Sequence, residues 1–115
     1  MEIKLRRYNT VYILDLVGDM DLYNAHELKD LVNNLIEKGV ELFVINMDKV
    51  EYIDSSGVGA LIHVYTTIKH KEFKLRIANV HGSVEKVIRL TKLMDYFPIV
   101  EDVKTAIKDL SKTEE

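Results

Sequence analysis

A chain of 115 residues, 47% of them hydrophobic, is long enough to bury one real core and too short for two domains. It has no cysteine, which excludes disulfides, thiolate-bound zinc and a thiol nucleophile. The net charge is −3, with lysines and arginines scattered rather than gathered on one stripe, which argues against a nucleic-acid partner.

No apolar run approaches the ~20 residues of a membrane span. The opening Met1–Arg7 carries charges but no apolar signal-peptide core, so a cytoplasmic location is expected. From Ile3 to Tyr8 apolar and charged residues alternate, the mark of a half-exposed strand. Asn9-Thr10 is a turn candidate that lacks the usual glycine, and Val11–Val17 is a second, more buried strand ended by Gly18. An acidic loop, Asp19-Met20-Asp21, follows. Leu22, Ala25, Leu28, Leu31, Val32, Leu35 and Ile36 then mark a long helix closed by Gly39 at the C′ position. Asn24 with Glu27 has the spacing of a capping box at its start.

Leu42–Asn46 is a short apolar run rich in strand formers, predicted as a buried third strand. Val58, Leu61, Ile62, Tyr65 and Ile68 trace the stripe of a second helix reaching about Lys71. Lys74–Ala78 is a fourth strand, and a third helix opens at His81-Gly82-Ser83 with Val84, Val87, Ile88 and Leu90 as its apolar positions. Pro98 ends any helix, Ile99-Val100 is a short last strand, and Asp102 caps a final helix buried through Val103, Ala106, Ile107 and Leu110. Residues 111–115 are expected to be a flexible, solvated tail. The reading is a single α/β domain: an opening antiparallel hairpin, then a mainly parallel sheet packed with about four helices.

In such a sheet, ligands gather at the carboxyl ends of the strands. That edge would carry both Asp19–Asp21 and the elbow Asp54-Ser55-Ser56-Gly57 between the third strand and the second helix. Asp54 and Ser55 are good N-cap residues, next to free amides and the positive end of the helix dipole. Gly57 and Gly59 would let another backbone approach this turn closely.

Three chemistries compete for the elbow. A serine nucleophile would want a glycine on both sides, whereas Ser55 has Gly57 behind it and Ile53 ahead. The bases on offer, His26, His63, His70 and His81, show neither triad nor metal-ligand spacing. An aspartyl phosphoacceptor built from Asp19, Asp21 and Asp54 would want a lysine after a late strand, and Ala78-Asn79-Val80 supplies none. In the third reading Ser55 is an exposed hydroxyl whose phosphorylation adds about −1.5 to −2 charges beside Asp54 and Asp21 and repels a partner. The plain alternative is that Asp54-Ser55 is only a helix cap.

Ile53-Asp54-Ser55-Ser56-Gly57-Val58-Gly59-Ala60-Leu61 closely resembles the signature of the STAS domain of bacterial anti-sigma factor antagonists. Gly18-Asp19-Met20-Asp21 is similar to that family's Gly-x-x-Asp before the first helix, and the element order agrees over nearly the whole chain. The resemblance implies a protein that is a substrate and switch, not an enzyme. Unphosphorylated, it would bind an anti-sigma factor serine kinase and so release the sigma factor. Phosphorylation of Ser55 would end binding, and a phosphoserine phosphatase would restore it. Carried over residue by residue, the partner surface is Asp21, Asp54, Ser55, Ser56, Gly57, Val58, Gly59, Leu61 and Ile62. No metal or cofactor is implied: some family members bind nucleotides, but this chain has no phosphate loop with Gly-Lys-Ser/Thr. The free protein is expected to be a monomer without nucleic-acid or membrane partners. The chain departs from the family at Met94-Asp95-Tyr96, where many members carry Ser-Gly. The alternative role for the same fold is a scaffold or sensor in a stressosome-like complex; a chain with no extension favours the simple antagonist.

Overall fold

The structure, a computed structural model, describes residues 1–112. Strands β1 (Glu2–Tyr8) and β2 (Val11–Val17) form the expected antiparallel hairpin. They are followed by α1 (Ala25–Glu37), β3 (Leu42–Lys49), α2 (Ser55–His70), β4 (Lys74–Ala78), α3 (Gly82–Leu90), β5 (Ile99–Val100) and α4 (Val103–Lys112). The five strands lie in sequence order, β1-β2-β3-β4-β5, and every pair after the hairpin is parallel. Right-handed crossovers that always step the same way place their helices on one face. Accordingly α1, α2 and α3 share a core with Leu14, Leu16, Phe43, Ile45, Met47, Leu75 and Ile77 of the sheet. On the other face α4 packs Ala106 and Leu110 against Val11, Ile13, Val44 and Ala78. No helix among the described residues is long and apolar enough to cross a membrane.

Several local expectations need correction. β1 is exposed at every residue except the part-buried Ile3, because it is an edge strand paired on one side alone. Its Lys4, Arg6 and Arg7 discourage a further strand from adding there. β3 runs three residues past Asn46, to Lys49. Leu90 is 83% exposed: it sits two residues past the buried Ile88, on the opposite side of α3. The predicted tail is helical through Lys112, and 113–115 lies outside the described residues.

Helices α1, α2 and α3 end in the same way. The amide two residues past the cap donates to the carbonyl five residues back: Val40 N to Leu35 O at 3.0 Å, Phe73 N to Ile68 O at 3.0 Å and Leu93 N to Ile88 O at 3.1 Å. This Schellman arrangement needs a left-handed residue at C′. Gly39 supplies it at φ +95°, as its position predicted, whereas Glu72 (φ +63°) and Lys92 (φ +61°) adopt it with a Cβ attached. An apolar residue, Val40, Phe73 or Leu93, then folds back towards the core each time.

Asp15, on the α4 face of β2, anchors a side-chain chain across the sheet. Arg6 grips it with two bonds, Nε to Oδ2 at 2.5 Å and Nη2 to Oδ1 at 3.0 Å. Asn46 donates to Asp15 Oδ1 at 2.8 Å, and Asn79 donates to Asn46 Oδ1 at 2.8 Å. Partial burial pushes the Asp15 carboxyl up, but the Arg6 guanidinium and the Asn46 amide outweigh it and hold the group below its ordinary value.

Two predictions follow from these features. Glu72→Gly and Lys92→Gly should each stabilise the fold by about 0.5–1 kcal/mol, because relief of the left-handed strain exceeds glycine's greater unfolded freedom. Urea midpoints above wild type check this; unchanged midpoints refute it. For Asp15, a folded pKa below the unfolded one gives stability present above about pH 4 and lost as pH falls through the folded value. Asp15→Asn should therefore be less stable than wild type at pH 7 and show a shallower loss of stability as pH falls below about 4.

Candidate functional site

The parallel strands β2 and β3 send their carboxyl ends to one edge, so the loops after them must meet there. Met20 and Ile53 pair as an isolated parallel bridge beyond the strand ends. Met20 N donates to Tyr52 O at 2.9 Å, and Asp54 N donates to Met20 O at 3.2 Å. Both side chains are buried. The bridge ties the acidic loop to the start of α2.

Asp54 makes the second tie. Its backbone is extended (φ −107°, ψ −174°), as an N-cap requires, and its Oδ1 accepts from Gly57 N at 3.0 Å. Its other oxygen, Oδ2, accepts from Leu22 N at 3.2 Å. With both oxygens engaged, Asp54 is a brace between two loops. Among the described residues no three His, Asp or Glu side chains come together as a metal cage, Asp19, Asp21 and Asp54 included.

Asp21 is half-buried. Its Oδ1 accepts from Tyr23 N at 2.9 Å, and its backbone carbonyl accepts from Ala25 N at 2.9 Å. The predicted capping box does not form. Asn24 turns back instead, accepting from Asp21 N at 2.9 Å and donating through Nδ2 to Asp19 O at 2.8 Å. The turn at residues 22–24 satisfies the amides that a capping box would have held. Leu22 consequently leaves the predicted helical stripe and lies in the turn.

Ser55 is the first residue of α2 and is exposed; Ser56 and Ile62 are half-buried and Gly59 is exposed. Val58 (4% exposed) and Leu61 (0%) point into the core, so they seat the helix from below and offer nothing to a partner. Gly57 is buried against the bridge. All four histidines are exposed, and none is hydrogen-bonded to Ser55. His81 Nε2 lies 2.9 Å from Asp48 O; a carbonyl only accepts, so that nitrogen carries the proton. Ser83 Oγ donates to Glu51 O, so the start of α3 braces the segment ahead of the elbow.

Three exposed residues outside the expected partner surface stand out here: Leu22 (67% exposed), expected in the buried helical stripe, with Tyr23 (84%) and Tyr52 (50%). They are large apolar side chains in the two loops that the bridge joins. Around them lie Asp19, Asp21, Asp48, Glu51 and Asp54, of which Asp48 is paired with Lys49 at 3.8 Å. The surface is acidic with apolar anchors, and it holds a serine hydroxyl with no acid–base partner among the described residues. That arrangement suits docking and modification better than catalysis on a small molecule. The sequence signal for the anchors was the turn chemistry of Asp21-Leu22-Tyr23-Asn24, which takes Leu22 out of the helix.

The two glycines of the elbow should respond oppositely to alanine. A Cβ on Gly57 would stand 2.6 Å from Ile53 Cγ1 and 2.8 Å from Met20 O, and a backbone oxygen cannot yield cheaply. Gly57→Ala is expected to cost about 1–3 kcal/mol. A Cβ on Gly59 meets nothing within 4 Å. Gly59→Ala should gain about 0.5–1 kcal/mol from helix propensity. Urea denaturation of both variants checks the pair; equal effects would refute the tight seat at Gly57.

The sequence profile of the STAS domain matches residues 2–106. The anti-sigma F factor antagonist of Paenibacillus polymyxa is 23% identical over 115 residues, covering 96% of this chain and 95% of that one. The crystal structure of an anti-sigma factor antagonist from Mycobacterium paratuberculosis superposes with a TM-score of 0.85 at 20% identity, over 96% of this chain and 93% of that one. The Bacillus cell fate determinant SpoIIAA in its phosphorylated form gives a TM-score of 0.71 at 16% identity, over 94% and 97% of the two chains. With the matched profile spanning nearly all of its length, this chain belongs to the STAS-domain family.

Proposed function

We propose that this protein is an anti-sigma factor antagonist that works as a phosphorylation switch. The observation that carries the reading is Ser55: an exposed hydroxyl on the first turn of α2, in a braced elbow, beside the apolar anchors Leu22, Tyr23 and Tyr52. Its unphosphorylated form docks on an anti-sigma factor serine kinase through the edge formed by Asp21, Ser55, Ser56, Gly59 and Ile62, and so frees the sigma factor. Relatives of this chain carry the name anti-sigma factor antagonist, which supports the assignment of class.

The switch is local electrostatics. The kinase transfers the γ-phosphoryl group of ATP to Ser55 Oγ; the bond to ADP breaks, and the hydroxyl proton leaves to a base on the kinase. About −1.5 to −2 charges then stand among Asp19, Asp21, Asp54 and Glu51. The amides and dipole of α2 tolerate the phosphate, so the fold survives while the added charge and bulk at Ser55 block docking on this edge. A phosphatase returns serine and inorganic phosphate by hydrolysis. The chain itself supplies neither nucleophile activation nor a general base, and acts in the cytoplasm as a substrate rather than a catalyst.

The test is an affinity capture from the native lysate with wild type, Ser55→Ala, Ser55→Asp and Asp21→Ala as baits. Wild type and Ser55→Ala should retain a kinase-like ATPase, and Ser55→Asp should bind it at least about tenfold more weakly, roughly 1.4 kcal/mol. Asp21→Ala should weaken binding or phosphorylation by more than it lowers stability, its lost bond to Tyr23 N giving only a small fall in urea midpoint. Identical proteins on all four baits would reduce Ser55 to a helix cap and favour the scaffold role.

A further inference from the structure

The face of the sheet covered by α4, opposite to the one on which α2 packs, carries a second feature. A groove of about 630 Å³ runs beside α4, lined by Tyr8, Val103, Ile107 and Ser111 with Lys104, Lys108 and Lys112. Its floor is apolar: Val103 and Ile107 are only part-buried, and Tyr8 of β1 is 54% exposed. Its rim is basic. The three lysines recur every four residues, so they stand in a row about 6 Å apart along one flank of the helix.

These cations have no salt bridge among the described residues. Of the carboxylates near the row, Asp102 is held below its ordinary value chiefly by the Thr105 amide and in part by the charge of Lys104, so the first lysine is partly answered. Asp109 faces Arg76 of β4 at 3.7 Å on the opposite flank, and Asp102 accepts from Thr105 N at 2.8 Å as the helix cap. On β1, Arg6 is held by Asp15, and Lys4, its cross-strand neighbour, directs its charge at the same carboxylate. In a chain of net charge −3, a basic row that no salt bridge among the described residues closes, over an exposed apolar floor, is a local inversion of the overall balance.

We propose that this groove is a docking site for an acidic amphipathic helix of a partner protein. A helix presents carboxylates at i and i+4 with the same ~6 Å repeat as the lysines. Its apolar stripe fills the floor between Tyr8 and Ile107, the helix-in-groove mode of recognition. The site does not rest on the role of Ser55: it lies on a sheet face, whereas Ser55 lies at the carboxyl edge.

The experiment uses a fluorescein-labelled peptide of about 14 residues, long enough to be helical, with leucine at i, i+3, i+4 and i+7 and glutamate on both flanks. A lysine-for-glutamate peptide is the control. Fluorescence anisotropy should show saturable binding of the acidic peptide alone, weakening as salt rises. Amide shifts should centre on Tyr8, Val103 and Ile107. The double variant Lys104→Glu, Lys108→Glu should lose at least tenfold in affinity with an unchanged circular dichroism spectrum, and Ser55→Asp should bind like wild type. Four results would overturn the proposal: no saturable binding; equal binding by the charge-reversed variant; shifts at these amides that appear on raising protein concentration without peptide; or shifts that appear only with phosphatidylserine vesicles. The third would assign the groove to a second copy, the fourth to a membrane surface.

Discussion

The elbow stands on one small interaction, the backbone bridge between Met20 and Ile53. It continues the β2–β3 ladder past the point where the strands have ended, and so converts two loops into one rigid edge. Gly57 is pressed flat against this bridge, and Asp54 spans it from the α2 side to Leu22. Without it, the acidic loop and the helix start would be independent segments, each free to sample its own conformations. Loop residues are held this firmly when they must present side chains in a fixed arrangement.

The same bridge explains why the elbow residues divide their labour. Gly57, Val58 and Leu61 face inward and set the position of α2. Ser55, Gly59 and the part-buried Ile62 are left at the surface. A short signature therefore contains two interleaved messages, one read by the core and one by solvent. Residue-by-residue transfer from a family motif cannot separate them; burial does. Among the described residues Ser55 has no side-chain partner, because Asp54 has taken the capping role that the serine would otherwise have filled.

Much of this was legible in the sequence, for physical reasons that differ by element. The helices declared themselves through the 3.6-residue repeat, and Gly39 and Asp102 marked an end and a start by their turn chemistry. β2 and β3 stood out as apolar runs. What escaped was decided by contacts between distant segments. β1 alternates as a half-buried strand should, but its place at the edge of the sheet leaves it exposed. Asn24 has the spacing of a capping box, but the turn before it competes for the same side chain. Asx-type turn chemistry marks Leu22 and Tyr23 locally, but the tie from Leu22 N to Asp54, thirty-two residues away in the chain, is one that no local pattern records. The groove beside α4 likewise needs Tyr8 from one end of the chain and Ile107 from the other.

The strictly sequential strand order has a consequence for how the chain assembles. Each strand docks beside the one made just before it, so every parallel pairing closes only one helix-and-loop crossover and the entropy of loop closure stays small. The face with α1, α2 and α3 can therefore condense progressively as the polypeptide emerges. The opposite face cannot. Val11, Ile13, Val44 and Ala78 wait for α4, the one helix on that face among the described residues. Until it arrives, a nascent chain carries a nearly complete sheet with one side bare and sticky, which makes the arrival of α4 the step that separates productive folding from aggregation.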